Sequence, residues 1–375
     1  MTIRSKTIKQ VKRCVVKIGS ALLTHNINQL DLVALSAWVT QIAHLKEQGI
    51  EVVLVSSGSV AVGMGHMGWT ERPKELHRLQ AAAAIGQAGL VEAYQNNFKK
   101  FQLQTAQILL THDDIADRQR YLNARSTLRV LLSLNAVPVV NENDTVAMEE
   151  IRLGDNDTLA AMVANLIDAD LLIILTDQAG LYDRDPRQSD EAKLITLDSA
   201  TNSNLLEFAG GAGTVVGTGG MRTKVLAAQA AARSGCSTLI CSGSEADVLT
   251  RVFSSEVLGT LLIADAKPIK MRKQWISSQA NAQGVLVLDK GASIAMLDKG
   301  CSLLSVGVVS VSGVFMRGDV VDCVGFEGSI IARGLVNYSS SECRQIKGLA
   351  SHQIADKIGY IDESELIHRD NLAIL

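Results

Sequence analysis

The sequence predicts an α/β protein: an open, mainly parallel sheet sandwiched between helices, followed by a small all-β barrel. Between Cys14 and Ala264, short β-branched runs alternate with longer Ala- and Leu-rich segments, the pattern of parallel strands joined by crossover helices. The strand runs are apolar at successive positions, as strands covered on both faces must be. Beyond Lys267 the helical pattern gives way to short strands punctuated by glycine.

Taken in order, Val15-Val16-Lys17-Ile18 reads as the first strand and residues 31–47 as a helix. Gly49 ends that helix, where a left-handed residue is usually needed. Val52-Val53-Leu54-Val55 is the second strand, 73–96 a helix, Ala106-Gln107-Ile108-Leu109-Leu110 a strand and 121–134 a helix. Val137-Pro138-Val139-Val140, a helix at 157–167, a strand at 171–175, a helix at 221–233 ended by Gly235, and Thr238-Leu239-Ile240-Cys241 follow. Residues 182–191 are too polar for a core and read as an exposed loop able to move over a ligand. Lys270, Arg272 and Lys273 mark a basic linker, and Gly284-Val285-Leu286-Val287-Leu288, 306–314 and 319–324 read as strands. The expected division is 1–266, a linker at 267–280, a β module at 281–365 and a tail at 366–375.

A chain of 375 residues suits two domains, and 47% hydrophobic with 20% charged residues is an ordinary globular composition. The net charge of −3 gives no basic field for a polyanion. Cys14, Cys236, Cys241, Cys301, Cys323 and Cys343 form no CxxC pair and have no zinc-type partner spacing, so packed reduced thiols are expected and no protein-held metal. The first residues lack a signal peptide's apolar stretch, and no uncharged apolar run reaches about 18 residues, so a cytoplasmic protein is expected.

Polar and glycine residues collect at the C-terminal ends of the strands, where open α/β sheets bind ligands. No GxxxxGK[ST] is present, and Gly211-Ala-Gly213-Thr-Val-Val-Gly217 misses the dinucleotide fingerprint by one residue. Lys17 places a charge inside a strand, so it needs either an anionic partner or an edge from which to reach solvent. Gly19 after it offers a backbone N–H to phosphate. Ser56-Ser57-Gly58-Ser59 is a cradle for a carboxylate or phosphate, or an ordinary turn. Asn141-Glu142-Asn143-Asp144 and Gly154-Asp155-Asn156-Asp157-Thr158 hold more carboxylates and amides than helix capping needs. Asp144 suits an ammonium, Asn156 can donate to a carboxylate, and Asp157 can hold a lysine. Thr176-Asp177 ends the fifth strand. Thr218-Gly219-Gly220-Met221-Arg222-Thr223-Lys224 is a glycine-rich turn entering a helix, either a surface turn or a phosphate site. Its Arg and Lys oppose the helix dipole, which favours an anion nearby.

Together these motifs, with Leu-Thr176-Asp177-Gln-Ala-Gly-Leu-Tyr, resemble in order and spacing the glutamate 5-kinase family of the amino acid kinase superfamily. The β module resembles a PUA domain, so the likeness spans nearly the whole chain. Ser20 and Ser56 stand where threonine is common in the family, and both keep the hydroxyl. The resemblance implies ATP-dependent phosphorylation of the L-glutamate γ-carboxylate as the first step of proline biosynthesis, with Mg²⁺. It implies that Lys17 and Lys224 hold the ATP phosphates and that Asp157 orients both lysines. Thr176, Asp177, Thr218, Gly219, Gly220, Met221, Arg222 and Thr223 would bind nucleotide, and Ser57, Asp144 and Asn156 glutamate. Feedback inhibition by proline and a homo-oligomer, dimer or tetramer, are implied too. Two other readings compete: a related kinase acting on aspartate, N-acetylglutamate, carbamate or UMP, and an RNA-associated PUA protein. Asp144 argues against the first where the substrate lacks a free ammonium. Eleven acidic against eight basic residues over 275–375 argue against the second.

Overall fold

The computed structural model describes residues 2–25, 29–146, 156–210, 220–264 and 282–375. The chain divides into two compact units, Met1–Ala266 and Lys267–Leu375.

In the first unit, helix α1 (Ile3–Lys9) precedes strand β1 (Arg13–Ile18), α2 (Ser20–Leu23), the short β2 (Thr24–His25) and β3 (Gln29–Leu30), and α3 (Leu32–Glu47). Asp31 caps α3 by accepting from the N–H groups of Val33 and Ala34. Then come β4 (Glu51–Ser56), α4 (Ser59–His66), α5 (Leu76–Lys99), β5 (Thr105–Leu110), α6 (His112–Ala116), α7 (Arg118–Ser133) and β6 (Val137–Glu142). α8 (Asn156–Ile167), β7 (Leu171–Thr176), β8 (Leu197–Ser199), α9 (Leu205–Phe208), α10 (Met221–Ala232), β9 (Ser237–Ser242), α11 (Val248–Phe253) and β10 (Thr260–Ile263) complete the unit. Gly49 and Gly235 follow their helices with positive φ, as the sequence suggests.

The main sheet runs β5-β6-β4-β1-β7-β9-β10-β8. From β5 to β9 every pairing is parallel, and β10 then pairs antiparallel with β9. Leu128, Leu159, Val163 and Val225 of α7, α8 and α10 pack on one face with Val15. Leu35, Tyr94, Phe98 and Val248 of α3, α5 and α11 pack on the other with Val16 and Ile18. The alternation along β1 sends Val15 and Lys17 to the face of α8 and α10. β1 lies between β4 and β7, and the chain proceeds to opposite sides of it, which creates the crevice at the strand ends where such sheets bind ligands.

Two expectations are corrected. The strand at 105–110 is only partly buried, because β5 is the sheet edge and one side of it lacks a neighbouring strand. The helix expected at 73–96 is Leu76–Lys99, beginning three residues after Pro73. The segment after Gly58 is helical, although Ser59–His66 contains two glycines. α4 forms because it lies against α5 closely enough that a Cβ on Gly63 would sit 1.8 Å from the Ala82 carbonyl oxygen, and one on Gly86 1.9 Å from that of Ser59. Residues 182–191 form the expected polar loop, joined at its base by the Tyr182–Leu194 bridge.

The second unit contains a five-stranded sheet in the order β12-β11-β13-β14-β15. Its strands are β11 (Gly284–Leu288), β12 (Val308–Gly313), β13 (Val320–Val324), β14 (Ile330–Leu335) and β15 (Leu372–Ile374). It also carries helices α12 (Lys290–Lys299), α13 (Ser340–Ile346) and α14 (Ile354–Ile358), which the sequence reading had not separated from the strands. Residues 366–375 are no tail: β15 pairs with β14, and Leu366, Ile367 and Leu372 lie in the core with Leu286, Val321 and Tyr338. The linker expected at 267–280 lies outside the described residues.

Candidate active site

Lys17 occupies a central strand, so the edge alternative does not hold. Its residue is 5% exposed, and its ammonium lies 2.6 Å from Asp157 Oδ1. On the same carboxylate, Lys224 of α10, 4% exposed, reaches Oδ2 at 3.0 Å. Asp157 itself is 0% exposed and sits in the first turn of α8, where the helix dipole favours a negative charge. Burial pushes the Asp157 carboxyl up, but the Lys17 and Lys224 ammonium groups outweigh it and hold the group below the usual carboxylate value. Two ammonium groups share one buried carboxylate at the ends of the central strands. A pair of lysines at this place is suited to an anion at the strand ends.

Thr223, expected at the nucleotide, is 2.8 Å from Asp157 Oδ2 and 2.8 Å from the Gly220 carbonyl, so its hydroxyl braces the triad. Gly220 is the N-cap of α10 and provides no side-chain cap, and the first turn contains no acid. The amides at this helix start are thus directed at the same region as Lys224. Arg222 is exposed and Met221 half-buried. Thr218 and Gly219 lie outside the described residues. Thr176 is buried at the end of β7, beside β1, and donates to Asp177 Oδ1 at 3.0 Å, while Asp177 is exposed. The Gly19 N–H, expected to face phosphate, points at the Leu175 carbonyl at 3.4 Å and so belongs to the sheet.

A second cluster lies at the ends of β4 and β6. Gly58 has φ of +96°, a left-handed turn that starts α4 directly after the strand. Ser59 Oγ then donates to Asp144 Oδ2 at 2.9 Å. Asn156 Nδ2 donates to the Ser56 carbonyl at 2.8 Å, and Ser57 Oγ and Asn141 Oδ1 are both at 3.0 Å. An amide nitrogen has two hydrogens, so these protein acceptors already use them. The donor role expected of Asn156 is taken, and its oxygen is the group it can offer. Three acceptors surround two hydrogens, so Ser57 Oγ at most shares one of them and its own O–H remains for donation. The two clusters meet at α8, whose adjacent residues Asn156 and Asp157 belong one to each.

Asn156 thus meets Ser57 directly, and Asp144 meets the neighbouring Ser59; the sequence motifs include Ser59 and Asn141 but give no sign of Gln87 or Tyr94. Asn141 Nδ2 donates to Gln87 Oε1 at 2.7 Å, and the Tyr94 hydroxyl is 3.1 Å from Ser56 Oγ. Gln87 and Tyr94 are seven residues apart, two turns along one face of α5. Local sequence carried no sign of these contacts, which span the chain. Among the described residues, no three His, Cys, Asp or Glu side chains form a metal site, and no helix is long and apolar enough to cross a membrane.

A sequence profile described as "Amino acid kinase family" matches residues 12–242, and one described as "PUA domain" matches 284–358. The protein named Glutamate 5-kinase from Azoarcus sp. (strain BH72) is 57% identical over 98% of this chain and 99% of its own. Proteins of the same name from Chromobacterium violaceum (56% over 97% of this chain and 98% of its own) and Thioalkalivibrio sulfidiphilus (55% over 100% of both) are similar throughout. The chain is therefore a member of the amino acid kinase family, within it of the glutamate 5-kinases, with a PUA domain following the kinase fold.

Proposed function

We propose that the chain transfers the γ-phosphoryl group of ATP to the γ-carboxylate of L-glutamate, giving L-glutamyl 5-phosphate and ADP, the opening step of proline formation. The observation that carries this is the Lys17–Asp157–Lys224 triad, one residue along α8 from the Asn156 cluster. A γ-carboxylate is ionised at neutral pH, so the nucleophile needs no general base. Its oxygen attacks the γ-phosphorus in line, and the bond to the β,γ-bridging oxygen breaks as ADP leaves. Lys17 and Lys224 neutralise charge on the transferred group, and Asp157 holds both ammonium groups in place. Ser57, Asp144 and the Asn156 oxygen hold the amino acid, with Asp144 facing the α-ammonium. An N-acetylated acid or a nucleotide monophosphate has no such ammonium, which favours glutamate over those substrates.

Thr176, Asp177 and the turn at 218–224 are assigned to the nucleotide. Mg²⁺ would come with the ATP, held by phosphate oxygens and water, since the described residues offer no cage of their own. The ion supplies charge neutralisation on the phosphates. The catalytic work is assigned to residues 1–266, and the proposal extends to inhibition by proline, to a homo-oligomer and to a cytoplasmic setting. The test is to incubate the full chain with MgATP and a panel of amino acids, trapping acyl phosphate with hydroxylamine. Hydroxamate with glutamate alone is expected; equal trapping with aspartate or N-acetylglutamate would overturn the assignment.

A further inference from the structure

We propose that Gln87, on the buried face of α5, is a positioning residue for the amino-acid substrate, acting through Asn141 to fix the amide of Asn156. The proposal rests on the assignment of Asn156 to glutamate made above.

Three side-chain amides form a chain: Gln87 Oε1 accepts from Asn141 Nδ2 at 2.7 Å, and Asn141 Oδ1 accepts from Asn156 Nδ2 at 3.0 Å. The middle amide and the Asn156 end are pinned by backbone groups whose roles cannot be exchanged. The Glu142 N–H donates to Asn141 Oδ1 at 2.9 Å, so that atom must be the oxygen. The Ser56 carbonyl accepts from Asn156 at 2.8 Å, so that atom must be the nitrogen. Asn141 therefore turns its nitrogen to Gln87, and only a side chain with an acceptor satisfies it there. The chain has one allowed polarity, and it commits the Asn156 oxygen to an outside partner such as an ammonium.

The cost of this arrangement falls on Gln87. The residue is 8% exposed, and its Nε2 is buried without a hydrogen-bond partner. A buried donor left unmade is destabilising, so packing alone would favour an apolar side chain. The acceptor is what only the glutamine supplies. The same helix meets the cradle twice more, through the Tyr94 hydroxyl at Ser56 and the close approach of Gly86 to the Ser59 carbonyl.

The test compares Gln87→Met, similar in length and without an acceptor, with Gln87→Glu, which retains one. The Met variant replaces one unsatisfied buried donor, Gln87 Nε2, by another, Asn141 Nδ2, so its melting temperature should stay within about 5 °C of wild type. Its KM for glutamate should rise about tenfold, the worth of one hydrogen bond at the site, with KM for ATP unchanged. The Glu variant should lie closer to wild type in KM for glutamate. Wild-type chain that forms no hydroxamate from glutamate sinks the substrate assignment itself. Active wild type combined with an unchanged glutamate KM in Gln87→Met sinks the role of Gln87. So does a Met variant whose two KM values rise together, or a Glu variant no better than Met.

Discussion

Replacing Asp157 by Asn removes the one negative charge from a triad in which both cations are nearly sealed from water. The side chain keeps its shape, so the perturbation is electrostatic. Asp157 is 0% exposed and the lysines 5% and 4%, so solvent screening gives little relief, and losing one partner of a buried pair costs about 3–5 kcal/mol. For a unit of this size that is a fall in melting temperature of roughly 6–20 °C. The pH dependence has a definite sign. The folded carboxyl titrates below its ordinary value, so its stabilisation is fully present above the unfolded value of 3.8 and is lost as pH falls through the lower folded value. Thermal melts of wild type and Asp157→Asn without nucleotide, from pH 7 downward, should differ by a constant amount to about pH 4 and converge only below it. ATP should narrow the gap by supplying the missing negative charge. Equal melting temperatures at pH 7 would show that the carboxylate does not hold the lysines.

Gly86→Ala would place a Cβ 1.9 Å from the Ser59 carbonyl oxygen, backbone against backbone, so α4 and α5 must part. A loss of about 1–3 kcal/mol and a raised glutamate KM are expected from urea unfolding and kinetics. At Gly89 the nearest atom is a movable one, His66 Cε1 at 2.8 Å, so Gly89→Ala should cost less. Asp144→Asn keeps an acceptor for Ser59 Oγ and loses the charge; the KM for glutamate should rise about tenfold or more with the ATP KM unchanged. Chelation of Mg²⁺ by EDTA should abolish hydroxamate formation, and added excess Mg²⁺ should restore it, as expected of an ion that arrives with the nucleotide.

The central strands were legible because each is buried on both faces, and β1, β4, β6, β7 and β9 read as continuous apolar runs for that reason. β5 has the same kind of sequence, but its place at the edge is decided by neighbours far along the chain. The reading of Ser56–Ser59 stops at the turn itself; the helix that follows contains Gly63 and Gly65, and the fit of Gly63 and Gly86 between two backbones supplies the compensation. Lys17 was legible as a charge inside a strand, and Asp157 as one acid more than capping needs at a helix start. Gln87 was not, since a glutamine in an Ala-rich helix reads as a surface residue until Asn141 is placed opposite it. The direction of the Asn156 amide was likewise settled by backbone groups at Ser56 and Glu142, which no local pattern announces.

The central claim is that Lys17 serves the transferred phosphoryl group and not the fold, and Lys17→Met tests it most directly. In the free chain this change leaves Asp157 paired with Lys224 at 3.0 Å, so the melting temperature should fall much less than in Asp157→Asn. At saturating glutamate and MgATP, hydroxamate formation should fall by about a hundredfold or more, with the glutamate KM little changed. Turnover near wild type, or a loss of stability as large as that of Asp157→Asn, would contradict the account.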